Sequence, residues 1–432
     1  MRIHQLKLEQ YRGFANTTIN FVPNFTLIVG KNGAGKSSIL WALRVALSHI
    51  QKKTSISKEK MLEFTQDDVA NGADIDWPYM NVAAEFSISD VSDKRIWFSA
   101  QKNRTEFVKG QAGDVRNQVM DTPDLYEFYE LDAQQQHVPV KSFKRPQQEE
   151  SPLAIYYSAH RATIPVQAIS KSGRTSGNEA RAYAEALKDR PVLLAEMTDL
   201  WRKEVVLKES DKIPDRTNLA IQNSLPDFLE GFSDLRLDES KDKPALKVKK
   251  NGIALDIPQL SDGERSMLVI LMDLTRRLAL ANPEIKDPAK NASAIVLIDE
   301  IDLHLHPTWQ RTITGKLLKT FPKCQFIATT HSPQTIGEVP PENIILLEEG
   351  KQPQVPSQSL GMDSNWVLRR LMETPERSTE SQKILDDISN LIVNTKYAEA
   401  TSLIEEAKNL YGIDEEIVRL QTRIERIKLL GK

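Results

Sequence analysis

Apolar and polar positions alternate from the start of the chain, through Ile3, Leu6 and Leu8 and again along TTINFVPNFTLIVG, and this short period predicts strands. The period then lengthens. SSILWALRVALSHI sets Ile39, Leu40, Leu43, Ala46 and Leu47 at helical spacing, so strand, glycine-rich loop and helix come in direct succession. Between residues 80 and 145, MNVAAEFSISD and KRIWFSA alternate again and predict antiparallel strands, closed by the polar stretch QQQHVPVKSFKRPQQEES as a loop. Residues 177–208 read as helix, and LRLDES with PALKVKKNGIALDIPQL reads as a hairpin returning to the main sheet. Then come a helix (RSMLVILMDLTRRLAL), an apolar strand (AIVLIDE), another helix and a second apolar strand (QFIATTHS). That order predicts an α/β fold wound around a parallel sheet.

Beyond residue 363, helical spacing joins Ile384, Ile388, Leu391 and Ile392, then Leu403, Ile404, Ala407 and Leu410, then Val418, Leu420, Ile424 and Ile427. Four segments are expected: 1–165, an N-terminal lobe with the glycine loop and the antiparallel strands; 166–245, a mainly helical insertion; 246–360, a C-terminal lobe; and 361–432, a helical tail and candidate partner-binding module.

Composition narrows the class. The 432 residues are 40% hydrophobic and 27% charged, enough for a sizeable core. No apolar run approaches the ~18 residues that span a bilayer, and the amino terminus lacks the pattern of a signal peptide, so no membrane association and a cytoplasmic location are expected. The single cysteine, Cys324, lies in an apolar run and is expected to be buried. A net charge of −3 gives no overall attraction to nucleic acid, which leaves a local basic groove or a partner to supply one.

Four elements carry chemistry. Gly30 to Ser37 fits the phosphate-binding loop: amides at Asn32, Gly33, Ala34 and Gly35 wrap phosphates, and the helix through Ser37 and Ser38 offers its N-terminus. Lys36 would reach the β- and γ-phosphates of ATP, and Ser37 would hold Mg2+. AIVLIDE ends in Asp299, placed to organise the Mg2+, and Glu300, placed to polarise an attacking water. Leu260-Ser261-Asp262-Gly263-Glu264-Arg265 opens a helix and matches an LSxGE signature; Ser261, Gly263 and Glu264 would meet the γ-phosphate of a nucleotide held by a second copy. His331 in FIATTHSP sets a polar ring at the end of an apolar strand.

With these motifs in this order, the chain resembles the ABC/SMC/RecF-like ATPases: a P-loop fold of ABC type, mixed sheet flanked by helices, here with a helical insertion and a C-terminal helical module. YRGFANTTINF, YYSAHRA and DEIDLHLHP, with the helical tail, are similar to the compact ATPases that include the PtuA subunit of Septu and retron-associated phage defence. The resemblance implies an ATPase that dimerises around ATP in an anti-phage system. It also implies that Arg12 faces the nucleotide, that His331 is the switch histidine against the γ-phosphate, and that a Q-loop residue, Gln66 with Asp67 or Asp68 as alternatives, couples to the γ-phosphate and Mg2+. Arg161 could read a nucleotide or pair with a carboxylate. His304 and His306 have no accompanying histidine or cysteine cluster, so HLHP reads as a packed or interface segment rather than a metal site.

The span from Lys36 to Ser261 lacks sustained heptads, which excludes a long coiled-coil arm. After His331 there is no Toprim-like acidic pattern and no histidine-asparagine-histidine finger. Any blade therefore lies in another chain, in agreement with the HNH nuclease partner and, in retron versions, the reverse transcriptase with its RNA–DNA product that the resemblance implies. A RecF-like DNA-repair ATPase acting without a nuclease partner is the alternative. A transporter subunit fits the long insertion and the tail poorly.

Overall fold

The computed structural model describes residues 1–70, 79–88, 95–103, 125–131, 136–140, 143, 151–161, 178–190, 216–238, 245–348, 352–374 and 377–430. Two compact units emerge, Met1–Asp363 and Ser364–Lys432.

The first unit opens with β1 (Arg2–Tyr11), β2 (Phe14–Asn20) and β3 (Phe25–Gly30), then α1 (Lys36–Thr54). Four more strands come after the helix: β4 (Tyr79–Ser87), β5 (Ile96–Asn103), β6 (Leu125–Leu131) and β7 (His137–Pro139). Next are β8 (Ala154–Tyr157), α2 (Asn178–Tyr183), α3 (Arg216–Phe228), β9 (Phe232–Asp238), β10 (Ala245–Lys250) and β11 (Ile253–Asp256). The unit continues through α4 (Asp262–Ala281), α5 (Pro288–Asn291), β12 (Ile295–Ile298), α6 (Pro307–Thr320), β13 (Gln325–Thr330), α7 (Pro333–Ile336) and β14 (Ile344–Leu347).

Three sheets form. An antiparallel sheet runs β2-β1-β4-β5-β6-β7, and a parallel one runs β14-β3-β13-β12-β8. Every residue of β3, β12 and β13 is buried, as expected of parallel strands covered on both faces. One apolar core joins the two sheets through α1: Leu6, Leu8, Val82 and Phe98 from the antiparallel side and Ile28, Leu297 and Ile327 from the parallel side meet Leu40, Leu43 and Leu47. A buried amide also stitches them. The Gln325 side chain accepts from the Ile3 N–H (2.8 Å) and donates to the carbonyls of Ile3 (2.8 Å) and Val22 (2.9 Å). Cys324 is buried.

Three sequence expectations change here. The segment 232–256 forms its own three-stranded sheet, β11-β10-β9, and does not rejoin the main one. Its paired charges, Lys247 with Asp238 and Lys249 with Asp234, need a wet face that a parallel sheet covered on both sides does not offer. The stretch read as a closing loop contributes β7, whose Pro139 is tolerated because the strand lies at the sheet edge. The helical reading of 177–208 meets α2, which gives way to turns over 184–187; residues 191–208 lie outside the described residues. Much of the expected insertion 166–245 lies outside them too.

The second unit contains α8 (Ser364–Arg370), α9 (Thr379–Val393), α10 (Tyr397–Tyr411) and α11 (Glu415–Leu430). Its core is Leu385, Ile388 and Ile392 against Ala400, Ile404 and Ala407 and against Ile417, Leu420 and Ile424. Leu410 and Val418, expected inside, are 63% and 44% exposed. Leu385 and Ile417 take inward places instead.

Candidate active site

The C-terminal ends of β3, β12 and β13 lie side by side because the strands are parallel neighbours, so the loops leaving these strands collect at one edge. After β3, Gly33 and Gly35 adopt φ of 84° and 97°, a left-handed region open to glycine. A Cβ on Gly35 would stand 2.5 Å from the Phe14 ring, and one on Gly30 would stand 2.6 Å from the Leu347 carbonyl oxygen. Asn32, Gly33 and Ser37 are exposed, Ala34, Gly35 and Ser38 half-buried. Lys36 is buried. Its ammonium donates to the carbonyls of Gly30 (2.8 Å) and Lys31 (3.0 Å), and burial lowers its pKa to about 8, opposed by the fields of Asp299 and Glu300.

Thr329 on β13 organises the end of β12. Its hydroxyl donates to Asp299 Oδ1 (2.6 Å) and accepts from the Glu300 N–H (2.8 Å), while the Thr329 carbonyl accepts from the Ile301 N–H (3.0 Å). Glu300 stands at φ 46°, rare for a residue with a Cβ. Burial holds the His331 pKa below the usual imidazole value, helped by the Lys36 charge and opposed by Glu300, Asp302 and Asp299. Thus Lys36, Asp299, Glu300 and His331 share one electrostatic neighbourhood. Asp302, bonded by the Thr330 hydroxyl, is pushed above the usual carboxylate range by burial.

Arg161 lies just past β8 and is 1% exposed. Among the described residues it pairs with no carboxylate, and it is shielded from solvent. Nε donates to Ser266 Oγ (2.8 Å), Nη1 to the carbonyls of Ser158 (3.2 Å) and Asp299 (2.7 Å), and Nη2 to those of Glu300 (2.8 Å) and Ile301 (3.2 Å). Burial lowers its pKa to about 10, still leaving the guanidinium charged at neutral pH.

Ser261 caps α4 in a reciprocal box: its hydroxyl accepts from the Glu264 N–H (3.3 Å), and Glu264 Oε2 accepts from the Ser261 N–H (2.9 Å). Burial opposes charge on Glu264, yet bonds from Lys250 (2.5 Å) and Ser261 hold its carboxyl below the usual range. Gly263 packs on the turn after β12, where a Cβ would meet the His304 carbonyl oxygen at 2.6 Å. His304 is exposed at φ 63°, and His306 caps α6, its Nδ1 accepting from the Thr308 N–H (3.4 Å). Among the described residues there is no cluster of three metal-ligating side chains.

Arg12 is 36% exposed and held from both sides. It donates through Nε to Asp68 Oδ1 (2.8 Å) and through Nη1 to Ser38 Oγ (3.2 Å). Gln66 is exposed on the same short turn, whereas Asp68 is buried and also accepts from Thr65 N–H (2.7 Å) and Trp41 Nε1 (3.3 Å). Of the Q-loop alternatives, Asp68 is therefore the one joined to Arg12. The sequence reading missed Thr329 and the carbonyl contacts of Arg161. A threonine pair inside the apolar run QFIATTHS was the available signal for the first; nothing local marked the second.

The family described as "AAA domain, putative AbiEii toxin, Type IV TA system" matches residues 25–337. The retron Ec83 probable ATPase of Escherichia coli is 29% identical, covering 99% of this chain and 87% of that protein. The retron Vc95 probable ATPase of Vibrio cholerae serotype O1 biovar El Tor is 26% identical, over 81% and 74%. The Septu protein PtuA of Bacillus mycoides (strain KBAB4) is 35% identical over 27% of this chain and 16% of that one. With a glycine-rich loop at a strand-to-helix turn, an acidic strand end and the family match all falling within the Met1–Asp363 unit, the chain belongs to this AAA-domain family and is an ATPase.

Proposed function

We propose that this chain binds ATP with Mg2+ at residues 32–38 and hydrolyses it in sites completed by a second copy, as the ATPase of an anti-phage defence system. The observation that carries the reading is the gathering of Lys36, Asp299, Glu300 and His331 at one sheet edge. The residues present suit the ligand: Gly33 and Gly35 shape a loop whose amides can face phosphate, and hydroxyl and carboxylate oxygens at Ser37 and Asp299 are the hard donors that Mg2+ prefers.

In this reading Lys36 and the loop amides hold the phosphates, and Ser37 and Asp299 hold the cation, with Gln66 or Asp68 near it. Bound Mg2+ supplies neutralisation of charge on the phosphates. Glu300 orients the attacking water and takes its proton, and His331 hydrogen-bonds the γ-phosphate side. Arg12 meets the nucleotide from the β1–β2 turn. Ser261, Gly263 and Glu264 present the N-terminus of α4 to the nucleotide of the partner copy.

The retron and Septu relatives support the defence role. We place an HNH nuclease, and in a retron setting a reverse transcriptase with its RNA–DNA product, as the chains that the ATP cycle governs. Lys36→Ala should abolish ATP binding in calorimetry, and retained tight binding removes the phosphate-loop assignment. Glu300→Gln should bind ATP, turn over slowly and accumulate dimers. Ser261→Arg should block hydrolysis, so normal activity in that variant rejects the shared site. Co-purification with the products of neighbouring genes tests the partners.

A further inference from the structure

All five N–H groups of the Arg161 guanidinium find acceptors, four of them backbone carbonyls. Three of those carbonyls belong to Asp299, Glu300 and Ile301, the turn that carries the acidic pair. The fifth acceptor, Ser266, lies on the second turn of α4, the helix capped by Ser261. Glu300 meanwhile keeps a left-handed backbone, which persists only where surrounding groups over-determine it. Arg161 on its carbonyl and Thr329 Oγ1 on its N–H are those groups.

We infer that Arg161 is a positioning residue: it sets the backbone of Glu300 and ties that backbone to the helix bearing Ser261. The inference rests on the reading of Glu300 as general base. A planar fork that spans three successive carbonyls leaves the turn no independent freedom, so a shift of α4 moves Glu300 with it. Closure of the signature loop on a nucleotide would thereby be felt at the base without any rearrangement of the phosphate loop.

The test is a double-mutant cycle. Arg161→Lys keeps the charge but serves at most three acceptors, and Ser266→Ala removes only the partner of Nε. Each is made alone and with Glu300→Gln, and kcat, KM and the thermal midpoint are measured. Arg161→Lys should lower kcat on the order of ten-fold with KM within about two-fold. Ser266→Ala should lower kcat roughly three-fold, with the midpoint lowered by only a few degrees. Neither should further slow the residual turnover of Glu300→Gln. The same fractional loss in both backgrounds overturns the inference, as does unchanged kcat in Ser266→Ala. If Arg161→Lys fails to fold, the Ser266→Ala arm decides alone. Wild-type turnover by Glu300→Gln instead removes the general-base reading, and the positioning role with it.

Discussion

Raising the pH from 7.5 to 9.5 should weaken ATP binding about 25-fold, because Lys36 loses its proton in the free protein and must regain it to meet a polyphosphate. Burial brings this ammonium to a pKa of about 8. The protonated fraction is then about three quarters at pH 7.5 and about 3% at pH 9.5, and the bound anion raises the pKa of the complex. Affinity is therefore flat below the free-state value and falls as pH rises through it. His331 titrates below this window, since its pKa is lowered from the imidazole value. Calorimetry at fixed Mg2+ in buffers of different ionisation enthalpy should also report uptake of about half a proton per nucleotide at pH 8. Lys36→Ala should abolish binding, and the proton uptake with it. Flat affinity across the window in the unmodified protein, or proton release on binding, refutes this role for the Lys36 charge.

Packing gives three further expectations. Gln325→Leu strands an N–H and two carbonyls between the sheets and should cost about 3 kcal/mol or more, read from urea unfolding; a loss below about 1 kcal/mol would mean the clasp holds little. Gly263→Ala drives a Cβ into the His304 carbonyl and should cost roughly 1–3 kcal/mol and slow ATPase turnover, so an unchanged midpoint with full activity counts against that close approach. Ile404→Ala should destabilise the Ser364–Lys432 unit by about 2–5 kcal/mol, seen as faster hydrogen exchange along α9–α11.

The parallel strands and the loops after them were legible because the chemistry there is local: a glycine where φ is positive, a lysine at the next helix start, an apolar run that ends in acids. The helix start at Ser261 was legible for the same reason, since Ser261 and Glu264, which cap it, are three residues apart. Arg161 was not, because it bonds mainly backbone carbonyls, which every residue type carries and which lie far away in sequence. The tail shows how phase is lost. Leu410 fits helical spacing, yet α10 packs through Ala400, Ile404 and Ala407, and only the neighbouring helices decide which face is inward.

The placement of β3 also fixes a timetable. Both of its sheet neighbours, β13 and β14, are encoded some 300 residues downstream. At about 5–20 residues per second of synthesis, the glycine-rich loop leaves the ribosome roughly 15–60 s before either flanking strand exists. A nascent chain that stops short of β13 thus carries the Lys36 motif on a strand with bare edges, and ATP can act as a folding ligand only once nearly all of the Met1–Asp363 unit has emerged.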